Sequence, residues 1–493
     1  MDSKSKLYGD YFYKFFQCPH WIWYDIYGDG QYKREVPPLL DMIYKGKMMD
    51  VDKGLAAHKK FEQINPDLFK DLDEAFIATV ELMKQGKNIY HGVLMSEDWV
   101  GMPDFLEARP VAELSRRSGR DEHSVFGDHY YVVYDAQNSL DMRDEYKFQL
   151  IFYSLILERI QGVRPEQAYI IDAQGHEVGF TIAEYIDQFH LTRQQIEKIL
   201  NGEKPAPFLK AGCKRTPWYS LCVAETQGCN DVSLIYRISQ ADQRRLYEIG
   251  IKTVDALASA EPSELQEKLE DWPFDKIVRF SNQAKVLTNG QPMITRKPNF
   301  PAVRYEVYFD IESDPLNGVD YLLGFLVKDT QKDTVEYKYC LAKSKEEEPK
   351  AWLEFLDYLA SLEDFVIYHY AFFERQVFER LATRYGAPTS LLEKFRENTI
   401  DLHTKLVDSA VLPIYFYSLK DVGAYLNYKW DDPHAGGAES ILWYKEWLEK
   451  GDPAIIKKIL RYNEDDVRAT MRIKDWLADQ KPSKLKEKES LDD

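Results

Sequence analysis

An α/β protein of several domains is what this sequence predicts, on three observations. The chain has 493 residues, it alternates strand-like with helix-like segments, and its texture changes in the middle. That length suggests about three domains. A hydrophobic fraction of 44%, with 33 Tyr, 25 Phe and 10 Trp, marks packed cores and not a disordered chain.

Residues 1–230 mix both patterns. GLAAHKKFEQI and the run 68–83 have helical spacing, whereas IYHGVLM and HYYVVYDAQ read as strands. EYKFQLIFYSLILERIQG carries apolar residues at helical spacing and stops at a glycine. QAYIIDA follows as a short strand, then EVGFTIAEY and a polar helix over 192–200. Residues 231–295 differ, with short helices split by turns and a Gly-Ile turn of the helix-hairpin-helix kind, whose backbone amides suit a phosphate. TNGQPMITRKPNFPAVR, rich in Pro and Gly, reads as a linker. Residues 303–480 return to strand-first α/β order: RYEVYFDIES, YLLGFLVKD and TVEYKYCL as strands, AWLEFLDYLASL as a helix, FVIYHY as a strand and FERQVFERLATRYG as a helix. The tail 481–493 is charged and reads as disordered.

No apolar stretch is long enough for a bilayer, so no membrane is expected, and the N-terminus lacks the pattern of a secretion signal. A cytoplasmic location is the default. The net charge of −18 argues on its face against a nucleic-acid partner. Two considerations weaken that objection: carboxylates that bind cations are offset by them, and a local basic strip holds phosphate whatever the total. Modest affinity without a partner or metal is the expectation.

Four acidic positions carry most of the functional signal. Asp310 and Glu312 close an apolar strand in VYFDIESDP and, two apart, share a face. Glu374 lies in HYAFFE, and Asp466 follows Tyr462 by one helical turn in RYNEDDVRAT. Carboxylates brought together from separate segments repel unless cations compensate them, and oxygen-only sites suit Mg²⁺ or Mn²⁺. Two such ions stabilise the attacking and leaving oxygens of phosphodiester cleavage. The C-terminal third therefore reads as a metal-dependent nuclease.

These segments resemble DEDD-type 3′–5′ exonucleases of the RNase H-like superfamily, a mixed sheet with flanking helices. The resemblance implies that Asp310 bridges two metals, that Glu312 and Asp466 are ligands, and that Tyr462 orients the attacking water. DLHTKLV and YSLKDVGAYL, around Asp401 and Lys420, match intervening segments. Where that family has Asp in its second motif, this chain has Glu374.

Residues 1–230 resemble RecB-family nucleases of the PD-(D/E)xK superfamily, at His58, Asp104, Asp135, Gln149 and Tyr153. The resemblance implies a restriction-endonuclease-like domain in which His58, Asp104 and Asp135 collect a divalent metal. The motif lysine is replaced by Gln137. Either the domain is an impaired nuclease kept for binding, or Lys147 substitutes from the helix. Relatives of this group carry an iron–sulfur cluster on one early and three late cysteines, which here are Cys18 with Cys213, Cys222 and Cys229. Their late trio, C-x2-C-x5-C, needs a Cys where Thr216 stands, so Cys229 has to reach back. A [4Fe–4S] cluster, a zinc site and metal-free buried thiols all remain open.

The expected function is 3′–5′ exonucleolytic cleavage of single-stranded or 3′-ended DNA through the C-terminal site. The alternatives are a non-catalytic nucleic-acid-binding or scaffold subunit with a helicase or other protein partner, and a ribonuclease.

Overall fold

Side-chain alternation along one strand decides how the C-terminal half is built. The structure, a computed structural model, describes residues 6–36, 41, 60–137, 142–172, 176–315 and 317–481. In strand Tyr305–Asp314, Val307, Phe309 and Ile311 join Leu323, Phe325 and Val327 in a core closed by helices Glu348–Ala360 and Phe373–Tyr385. Tyr308, Asp310 and Glu312 occupy the opposite face, where Tyr308 packs with Leu326, Tyr368 and Val467. Val467 belongs to the 27-residue helix Pro453–Asp479, capped by Asp452 through the amide of Ala454 at 2.8 Å.

This strand is the middle of a five-stranded sheet. Val319–Asp329 and then Thr334–Leu341 pair antiparallel on one side, and Phe365–His369 and Thr399–Asp401 pair parallel on the other. A register shift between Glu312 and Ser313 bends the strand just after its two acids. The long helix runs antiparallel to it. Lys474 pairs with Glu306, Val467 packs on Tyr308, and Asn463 reaches Asp310.

Contacts divide the chain into two units, 1–225 and 226–493. The segment 231–295 therefore groups with the C-terminal sheet and not as a body of its own. Its helices Gln240–Glu248 and Val254–Ser259 are joined through Gly250, whose φ of +85° is the left-handed conformation glycine tolerates best. The segment expected to be a plain linker contributes strand Met293–Ile294, paired antiparallel with Ala410–Val411.

In the first unit a six-stranded sheet runs in the order Glu62–Gln63, Ile89–Tyr90, Phe105–Pro110, His129–Ala136, Gln167–Ile171, Glu177–Thr181. IYHGVLM is two strands, not one: His91, at φ +59°, breaks it between Ile89–Tyr90 and Leu94–Ser96. Helix Asp144–Gln161 buries residues on every side, as expected of a core helix. His58, with most of GLAAHKKFEQI, and the tail from 482 onward lie outside the described residues.

Candidate functional site

Asp310, Glu312 and Asp466 offer carboxylate oxygens that all lie within 4.8 Å of one another. Strand alternation puts the first two on one face, and the helix laid across that face delivers the third. Glu312 and Asp466 are buried and Asp310 is partly exposed. Burial, then repulsion by Asp466, Glu312 and Glu374, pushes Asp310 well above the usual carboxylate range. Burial and the Asp466 charge push Glu312 up to about 8, and burial pushes Asp466 to about 6. Oxygen donors held this close, with their charges uncompensated, fit a divalent cation such as Mg²⁺ or Mn²⁺.

Tyr462 is buried beside this group and hydrogen-bonds Asp466; burial and the Asp466 charge keep its phenol protonated. Lys420 lies 5.4 Å above the Tyr462 ring and is drawn below its ordinary pKa by burial, against the opposing pull of Asp466. Trp430 Nε1 donates to Asp466 at 2.6 Å.

The fully buried Asn463 was not predicted, nor were Tyr337 and Gly324 beside it. Its Nδ2 donates to Asp310 at 2.7 Å and its Oδ1 accepts from Tyr337 at 2.8 Å, and Glu312 takes a further hydrogen bond from it. Gly324 pairs directly with Asp310 across the sheet, and a Cβ there would sit 1.5 Å from Asn463 Oδ1. A signal for both was present. Asn463 stands three residues before Asp466, on the same helical face, and a lone Gly inside the apolar run YLLGFLV marks a close approach. Trp430 and Tyr337 had no comparable local mark, whereas Lys420 lies in the segment matched by resemblance.

Glu374 is brought near but stays outside the three-carboxylate group. It is 5% exposed, and its Oε2 lies 3.5 Å from Nδ1 of the equally buried His369, beyond normal hydrogen-bond length. Burial raises its pKa, and His369 opposes the rise. Asp401 positions the intervening loop. It accepts from the amide of Ala371 at 2.9 Å, a residue at φ +69°, and caps helix Leu402–Ser409 through His403 N at 2.9 Å.

In the first unit, Asp104, Gln137, Gln149 and Tyr153 line one cavity of about 200 Å³. The Asp104 carboxylate accepts from Ala136 N at 2.9 Å and the Asp135 carboxylate from Asp104 N at 3.1 Å. Gln149 Nε2 donates to the Tyr153 hydroxyl at 2.7 Å. Asp104 and Asp135 do not form a three-ligand group among the described residues. Lys147 is not in the cavity wall: its ammonium pairs with Asp144 at 3.2 Å and lies 4.3 Å over the Tyr185 ring. No Lys or Arg is found in that wall among the described residues.

Three of the four cysteines come together. Cys18, Cys213 and Cys222 are buried with sulfurs within 4.8 Å, Cys18 to Cys222 being 3.6 Å. Hydrogen bonding with Cys18 draws the Cys213 thiol down to about 3, while the bond with Cys213 pushes Cys18 up and bonds with both other thiols push Cys222 up. Thr216 is fully buried, its hydroxyl on the Cys213 carbonyl at 2.9 Å. Cys229 falls in the second unit, exposed, with its thiol on the Thr226 carbonyl at 3.5 Å.

Two outcomes follow from this geometry. Asn463→Ala should weaken Mn²⁺ binding, read by titration calorimetry, by roughly 10–100-fold, the usual effect of removing a group that orients metal ligands. An unchanged affinity would show that the amide only packs. The second concerns pH. The folded state raises these carboxyls above their unfolded values, so their protons stabilise the fold at low pH. That contribution is lost as pH climbs from the ordinary value of Glu312, 4.5, through its folded value of about 8. The rise in melting temperature given by Mn²⁺ should therefore be larger at pH 8 than at pH 5.5, where protons compete with the metal; an equal rise at both would contradict it.

No curated protein matches the chain. Residues 307–478, which begin in the Asp310 strand and end in the Asp466 helix, match the family model described as RNase_H superfamily. The chain therefore carries a C-terminal RNase H-like domain, and the three clustered carboxylates lie inside it.

Proposed function

We propose that the protein is a Mg²⁺- or Mn²⁺-dependent nuclease that removes nucleotides from the 3′ ends of single-stranded DNA, using the carboxylates of its RNase H-like domain. The convergence of Asp310, Glu312 and Asp466 within 4.8 Å is the observation that supports this reading. Asp310, Glu312 and Asp466 would hold the cations, with Glu374 as the fourth carboxylate. Bound there, a pair of cations supplies positive charge to the attacking and leaving oxygens. Asn463 fixes one oxygen of Asp310. Tyr462, kept neutral, presents a hydroxyl that orients water, and Lys420 adds positive charge where negative charge develops on the phosphoryl group. The wild-type chain with Mn²⁺ should release nucleotides from labelled 3′-ended DNA, and Asp310→Ala should abolish release without loss of fold. Preference for a matched RNA strand would make it a ribonuclease, and no release from either strand would sink the reading.

For the first unit, a cavity wall without Lys or Arg among the described residues favours a domain that binds but does not cleave. A net charge of −18 fits a chain that relies on bound metal or a helicase-like partner to hold nucleic acid. We further infer that Cys18, Cys213 and Cys222 hold a metal centre, iron–sulfur in the form the resemblance implies and zinc in the form three thiolates also serve. Anaerobically purified protein should contain iron or zinc that Cys213→Ser removes. Metal-free, fully folded wild-type protein would leave the thiols as buried core.

A further inference from the structure

Among the described residues the five-stranded sheet ends at Thr334–Leu341, whose one neighbour is Val319–Asp329. On one face of this edge strand Val335, Tyr337 and Tyr339 form a row, with Val335 39% and Tyr339 48% exposed. The ladder fixes which backbone groups face the open side. Ala342 N donates to Tyr321 O at 2.8 Å, in the same register as the rest of the pairing. Hydrogen-bonded pairs alternate along an antiparallel ladder, so Cys340, Lys338, Glu336 and Thr334 bond inward. The amides and carbonyls of Val335, Tyr337 and Tyr339 point outward.

An edge of this kind is a template for further pairing, and proteins commonly blunt it with charge, lysine above all. Here the order of the charges does the reverse. Glu336 and Lys338 stand two apart on the other face and pair at 2.7 Å, with the Glu336 side chain 69% exposed. In a second copy laid antiparallel, with the two Tyr337 residues opposed, Glu336 faces Lys338 of the other strand and Lys338 faces its Glu336. Both are non-hydrogen-bonded pairs, in which side chains approach most closely. Val335 meets Tyr339 across the seam, an apolar pair of the stabilising kind. The outward backbone groups of Val335, Tyr337 and Tyr339 then bond those of Tyr339, Tyr337 and Val335. Moving the axis by one residue sets Glu336 against Glu336, or Lys338 against Lys338. No neighbouring register opposes both pairs of unlike charge.

We propose that this edge is a homodimer interface, two copies pairing antiparallel about Tyr337 so that their sheets join into one. The Glu336–Lys338 pairs of the two copies then close a square of four alternating charges, a network where an isolated exposed pair contributes little. The Tyr337 phenol bonds Asn463 Oδ1 at 2.8 Å, so the seam is built from the strand that backs the carboxylate corner. The pairing itself needs neither metal nor substrate and stands apart from the nuclease reading.

The test is sedimentation equilibrium of the full chain without added metal. The wild-type mass should climb with concentration from 57.8 kDa toward twice that value. Glu336→Lys and Lys338→Glu each oppose like charges at both pairs and should weaken the dimer roughly 10- to 100-fold. The double exchange, Glu336→Lys with Lys338→Glu, restores unlike pairs and should bring dimerisation back. Val335→Pro removes an outward amide and leaves the inward ladder whole, so it should give a folded monomer. A wild-type chain that stays monomeric to its solubility limit overturns the interface, leaving the edge to water or to another protein's strand. So does a dimer that survives both single exchanges or persists in folded Val335→Pro, and so does a folded double exchange that stays monomeric.

Discussion

Repulsion among carboxylates in one desolvated corner is the constraint on which the C-terminal architecture depends. Glu312 and Asp466 are buried, Asp310 is partly so, and the three are too close to ionise together without help. A fold built only for stability would not gather them. The surroundings share one response. Asn463 and Trp430 donate hydrogen bonds to the acids, and Lys420 supplies a nearby positive charge. None of these groups neutralises the cluster outright. That leaves the remaining charge to divalent cations.

Helix and strand registers make the gathering possible. The helix crossing the Asp310 face is pinned at one end by the buried Lys474–Glu306 pair, to which Tyr308 adds a hydroxyl at 2.8 Å. Val467 on Tyr308 fixes its middle. The stretch around Asn463 and Asp466 is then carried to the strand's bent end. Gly324 is the concession the sheet makes, since any side chain there would displace the amide that bridges helix to strand.

Strand alternation and one-turn spacing made Asp310, Glu312, Tyr462 and Asp466 legible in the sequence, because both periods are fixed by backbone geometry. The family match over 307–478 supports the RNase H-like part of that reading. Contacts across chain separations of 36 to 153 residues, such as Trp430 to Asp466 and Asn463 to Asp310, have no local period and were invisible. The cysteines show the same limit. Four thiolates are expected together from the sequence, but Cys229 lies in the second unit while Cys18, Cys213 and Cys222 converge. Counting ligands gives stoichiometry; convergence requires the fold.

The two acidic sites differ in what their carboxylates already do. In the first unit the Asp104 carboxylate accepts the amide of Ala136 and the Asp135 carboxylate that of Asp104. Those bonds tie the acids to the sheet. In the RNase H-like domain the helpers stop short, and burial holds Asp310, Glu312 and Asp466 above their ordinary pKa values. Glu374 lies between these extremes: its carboxylate is set against His369 at 3.5 Å, close enough for charge to be felt and too far for a good hydrogen bond. In the nuclease we propose, the extra methylene of Glu over Asp gives this carboxylate the reach to turn from His369 toward a cation.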